Sequence, residues 1–107
     1  MPARQLTTVA HLDDVPPDTV RTMRAGDVEV TLANVGGEIV ALQAHCPHLG
    51  GPLGEGQLDG CVLSCPWHGW QFDVTTGENE FDRAITIATY DTLVENGEVK
   101  VALKELR

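Results

Sequence analysis

Ala44–Gly51 reads AHCPHLGG, and Leu63–Trp70 reads LSCPWHGW. Each stretch sets a cysteine two or three residues before a histidine, among prolines and glycines. Together they spell Cys46-x-His48, sixteen intervening residues, then Cys65-x-x-His68. Thiolate and imidazole are soft-to-borderline donors, and four of them in two short loops make a candidate metal site. Gly50, Gly51 and Gly69 allow backbone conformations and close approaches that a side chain would block. Pro47 and Pro66 each follow a candidate cysteine ligand and restrict the turn there. The remaining loop N–H groups can point at something negative, such as thiolate or sulfide sulfur.

Two metals compete for such a site. A tetrahedral zinc, in a structural zinc-binding module, also takes two cysteines and two histidines. Structural zinc sites, however, usually pair like ligands, as C-x2-C followed by H-x3-H. Here each loop carries one cysteine and one histidine, at unequal spacings. That arrangement suits a cluster in which one iron takes both thiolates and another takes both imidazoles.

The rest of the 107-residue chain reads as one domain of short strands. VEVTLANV (Val28–Val35) has a period near two, which places Val28, Val30 and Leu32 on one face. Gly36-Gly37 joins it to EIVALQ (Glu38–Gln43) in a tight-hairpin pattern. In TLVENGEVKVAL, Asn96-Gly97 lies between two apolar segments, the strongest short-range hairpin signal. Val99, Val101 and Leu103 alternate there with Lys100, Ala102 and Lys104. CVLSC and WQFDV predict two further strands, TTGE turns the chain after the second, and Pro16-Pro17 is placed to open a short turn. No window carries a helical stripe, so the expected fold is all-β.

Composition removes several functions. Sixteen acidic residues against seven basic ones give a formal charge of −9, the wrong sign for a nucleic-acid binder. That charge keeps a small protein soluble and steers it toward basic partners. No apolar run approaches a membrane span, and no hydrophobic signal segment opens the chain, so the expected compartment is the cytoplasm. Three cysteines cannot complete a disulfide framework, and a reducing compartment favours metal binding. No nucleophile set and no phosphate-binding glycine loop appears, and nothing in the sequence would hold a flavin or a nicotinamide. An electron carrier is expected rather than an enzyme.

CPHLGGPLGEGQLDG with CPWHGWQFDVTTGE resembles the cluster-binding motif of Rieske [2Fe–2S] proteins, C-x-H…C-x-x-H-G. The resemblance includes both loops, the glycine after the second histidine and the length between them. It implies an antiparallel Rieske-type sandwich over residues 1–107, with a small cluster-binding subdomain formed by the two loops at about 44–72. It implies one [2Fe–2S] cluster, with Cys46 and Cys65 on one iron and His48 and His68 on the other. Two ferric ions, two sulfides and two thiolates leave the oxidised cluster neutral, so it accepts an electron more readily than an all-cysteine cluster.

Departures from the motif narrow the branch. Respiratory Rieske subunits carry an extra cysteine in each loop, joined as a disulfide; those positions here are Gly51 and Trp67. The same subunits place sulfur-bonding hydroxyls where this chain has Trp70 and Phe72. Oxygenase large subunits usually carry arginine where this chain has Leu49, and with Arg107 as the last residue no mononuclear iron domain is expected. The resemblance therefore implies a free-standing ferredoxin, expected to be a monomer. It would dock transiently with a flavin-dependent ferredoxin reductase and a terminal ring-hydroxylating oxygenase. The alternative is the small Rieske-like subunit of an NAD(P)H nitrite reductase. Relatives often bear proline in a third loop near the cluster, whereas GENEFDRA has none.

Other residues have plainer expected roles. Cys61 reads as core packing on the face of Leu63, His45 as a loop residue and His11 as a surface residue. Leu49, Pro52, Trp67 and Trp70 are candidates for an apolar collar around the cluster edge, suited to docking.

Overall fold

The computed structural model describes residues 6–25, 28–47, 50–67 and 69–106. Among them, nine strands follow in chain order: β1 (Thr7–His11), β2 (Val20–Ala25), β3 (Val28–Val35), β4 (Glu38–Gln43), β5 (Gln57–Asp59), β6 (Val62–Ser64), β7 (Gln71–Asp73), β8 (Thr89–Glu95) and β9 (Glu98–Leu106). The only helical pieces among these residues are single 3-10 turns at Leu12–Asp14 and Leu53–Glu55. The fold is all-β, and every strand pair is antiparallel.

Two hairpins form where the alternation and turn residues predict them. β3 and β4 meet across Gly36 and Gly37, with φ of 60° and 103°, and β8 and β9 meet across Asn96 and Gly97, with φ of 54° and 78°. Positive φ at both central residues is what a two-residue hairpin turn requires, and its twist matches that of the strands. A short turn also follows Pro16, where the Thr19 N–H donates to the Pro16 carbonyl at 3.2 Å.

These hairpins belong to a six-stranded sheet in the order β1-β9-β8-β4-β3-β2. The outer strands β1 and β2 approach each other, so the sheet curls around a core that includes Val30, Leu32, Val99 and Val101, all fully buried. A second, three-stranded sheet, β5-β6-β7, is inserted between β4 and β8. A second core lies beneath it, with Leu42 from the large sheet packed among Leu53, Leu63 and Phe72.

The insert changes how β3 is buried. Val30 and Leu32 are fully buried, but Val28 at the strand's start is 40% exposed. Thr31 and Ala33, on the opposite face, are fully buried too, because the Leu53–Glu55 turn covers that face. In the insert, Cys61 falls in the turn before β6 rather than within a strand, and is half-buried against the second core. Gly56 fits because its backbone lies directly against the Ser64 carbonyl, which a Cβ would strike.

Candidate functional site

Both candidate cysteines sit where a loop leaves a strand, and both loops close in the same way. The Cys46 N–H donates to the Gly51 carbonyl at 2.7 Å, and the Cys65 N–H donates to the Trp70 carbonyl at 2.7 Å. In each case the acceptor lies five residues on, so one closure is used twice. The first loop is further held by the Gly50 N–H, which donates to the Cys46 carbonyl at 3.0 Å, and by a bridge between His45 and Pro52.

The loops also pack on one another. A Cβ at Gly51 would stand 2.7 Å from Cys65 Sγ and 3.1 Å from Trp67 Cγ, so the first loop's backbone lies under the indole and beside the second loop's sulfur. The Gly51 and Trp67 positions thus face each other with small-against-large packing. Cys46 and Cys65 are each 2% exposed, and both belong to the second core with Leu53, Leu63 and Phe72. Two thiols are held in matched positions at the edge of an apolar core.

His48, Leu49 and His68 lie outside the described residues. Among the described residues no group of three or more His, Cys, Asp or Glu side chains is placed to hold a metal ion. His45 is exposed beside Cys46, and His11 is exposed at the end of β1. Of the collar candidates, Pro52 and Trp70 are half-buried and Trp67 is 47% exposed.

One feature of the site escapes the sequence reading. Phe81, in the third loop, stands edge-on to Trp70 with ring centroids 5.2 Å apart and planes at 86°, a preferred aromatic geometry. Its loop lacks proline but is braced by side chains. Asn79 is 1% exposed, and its Oδ1 accepts from the N–H groups of Phe81 at 3.0 Å and Asp82 at 2.9 Å. Asp82 Oδ1 accepts from the Ala84 N–H at 3.0 Å. Asn and Asp at such positions mark turns because their side chains bond backbone amides a few residues on. An asparagine between two glutamates is the available signal.

Residues 5–91 match the model of the Rieske [2Fe-2S] domain. The chain belongs to that family. It is 34% identical over 96 residues to Ferredoxin CarAc of Metapseudomonas resinovorans, covering 88% of this chain and 90% of that protein. It is 36% identical over 97 residues to the ferredoxin component of the naphthalene 1,2-dioxygenase/salicylate 5-hydroxylase systems of Ralstonia sp, covering 89% and 90%. A similar chain is found in the solved complex of reduced oxygenase and oxidized ferredoxin in carbazole 1,9a-dioxygenase, with a TM-score of 0.81, 32% identity and 94% of both chains covered. Other relatives are far longer: the chain spans 12% of Apoptosis-inducing factor 3 from mouse.

A Rieske domain takes one [2Fe–2S] cluster, and the residues here fit it. Two buried thiols, set by matched loop closures and by the close approach of Gly51 to Cys65 Sγ, are of the kind that such a cluster's mixed donor set needs. No helix among the described residues is long and apolar enough to cross a membrane.

Proposed function

We propose that this Rieske chain is a one-electron carrier, taking electrons from a flavin-dependent reductase and delivering them to a terminal ring-hydroxylating oxygenase. The observation that supports this best is similarity along most of the length of both chains. Identity of 34% and 36% extends over about nine-tenths of two ferredoxins, one named as a component of an oxygenase system.

In this reading Cys46 and Cys65 hold one iron, His48 and His68 hold the other, and residues 44–72 form the cluster-binding part of a single domain. The bound group supplies a one-electron couple whose oxidised form is neutral. The chain's own residues set the conditions for that couple. The two loop closures fix the cysteines, so little rearrangement accompanies a change of charge. Leu53, Leu63 and Phe72 keep water from the thiolate side, which sharpens every local electrostatic interaction. Trp70 and Phe72 present no hydroxyl to the sulfurs, so the potential belongs in the lower part of the Rieske range. The carrier works as a cytoplasmic monomer.

The test is reconstitution with a flavin-dependent ferredoxin reductase, NADH and a Rieske-type terminal oxygenase. The protein should be brown as purified, bleach on reduction and support substrate hydroxylation in proportion to its concentration. A colourless protein that binds zinc would refute the proposal.

A further inference from the structure

Phe81 is 67% exposed, against 47% for Trp67 and 43% or less for the other exposed large hydrophobic side chains among the described residues. An aromatic ring left in water costs free energy that a partner's surface would recover. The placement is built rather than incidental. Asn79 braces the Phe81 amide from below, and the Glu80 N–H donates to the Gln71 carbonyl at 2.9 Å, which ties the third loop to β7. The ring rests edge-on against Trp70, whose carbonyl closes the Cys65 loop. An exposed apolar tip is therefore one residue removed from a ligand loop.

Charge says what would cover it. Glu80 and Asp82 flank Phe81 and both are exposed, with Arg83 as the neighbouring cation, in a chain of net charge −9. An apolar centre with an acidic rim fits a recess bordered by basic side chains. We infer that Phe81 is the apolar anchor of the surface on which the terminal oxygenase docks, with Glu80 and Asp82 steering the approach. This rests on the carrier reading above, and the ferredoxin 32% identical to this chain, solved together with its oxygenase, supports that choice of partner over the reductase.

The test measures electron transfer from the reduced holoprotein to the carbazole 1,9a-dioxygenase terminal oxygenase over a range of oxygenase concentrations and ionic strengths. Phe81→Ser should raise the half-saturating oxygenase concentration about tenfold, equivalent to about 1.4 kcal/mol, with an unchanged visible spectrum and unchanged reduction by the reductase. Phe81→Leu keeps an apolar tip and should stay within about threefold of wild type. Leu93→Ser removes another exposed apolar side chain, on β8, and should change nothing. The Glu80→Gln/Asp82→Asn pair should flatten the salt dependence while leaving the loop intact, since the introduced carboxamide keeps an oxygen for the Ala84 N–H. Half-saturation of Phe81→Ser within twofold of wild type would overturn the inference, as would equal slowing of the reductase step. Failure of wild type itself to pass electrons would refute the carrier reading, and this inference with it.

Discussion

Phe72→Tyr adds one hydroxyl at a position where its effect can be worked out. Phe72 is fully buried on β7, paired with Leu63 of β6 on one side and Asn79 on the other, and it shares a packed core with Cys46 and Cys65. A hydroxyl there is shielded from solvent, and one directed at the Cys46 and Cys65 side of that core would donate to a cluster sulfur. A hydrogen bond to a charged acceptor is worth about 1.5–3 kcal/mol, against about 0.5–1.5 to a neutral one. The reduced cluster carries one more negative charge than the neutral oxidised form, so the difference favours reduction by about 1–1.5 kcal/mol. At about 1.4 kcal/mol per 59 mV for a one-electron couple, the potential should rise by roughly 40–60 mV. Protein-film voltammetry on the two proteins reads this directly. An unsatisfied buried hydroxyl would instead cost about 1–3 kcal/mol of stability, or roughly 4–12 °C in Tm for a domain of this size. An unchanged potential combined with that loss of Tm would show that the hydroxyl does not reach a cluster sulfur, and would refute the reasoning.

Four further outcomes are expected. Asn79→Ala removes the acceptor for two backbone N–H groups, at about 0.5–1.5 kcal/mol each, so thermal unfolding should fall by roughly 4–12 °C while the visible spectrum is retained. Gly56→Ala drives a Cβ into the Ser64 carbonyl and should cost about 1–3 kcal/mol by overpacking, read by denaturant titration as a lower midpoint at constant slope. His48→Ala or His68→Ala should give colourless protein with depleted iron, because ligation and folding are coupled, whereas Cys61→Ala, away from the loop closures, should keep the full spectrum. The wild-type potential should lie below the middle of the roughly −150 to +300 mV span of Rieske centres, which voltammetry would show.

The parts legible in the sequence are those set by local contacts. β3 and β4 carry their alternation and their turn residues within sixteen positions, and Asn96-Gly97 marks the last hairpin by itself. β1 is hidden because its partner is not local: Thr7 pairs with Val101. β2 pairs with its neighbour in the chain, β3, with Ala25 opposite Val28, and is hidden because VRTMRA does not alternate cleanly. Burial of Thr31 and Ala33 is likewise decided by the insert lying over β3, not by the strand's own pattern. At the site, the Cys-x-His and Cys-x-x-His spacings mark the two loops that the structure packs together, Gly51 of the first against Cys65 of the second. Phe81 is not legible because its position depends on Trp70, met across the Phe72–Asn79 bridge, and on the buried Asn79 that braces its loop.

The proposed function rests on one [2Fe–2S] cluster held by two cysteines and two histidines, Cys46, Cys65, His48 and His68. The most direct measurement is electron–nuclear double resonance on the reduced protein labelled with 15N at histidine. Imidazole ligation to the reduced iron predicts strong hyperfine couplings from two histidine nitrogens. A reduced signal without such couplings would exclude histidine from the ligands of the reduced iron and overturn this assignment.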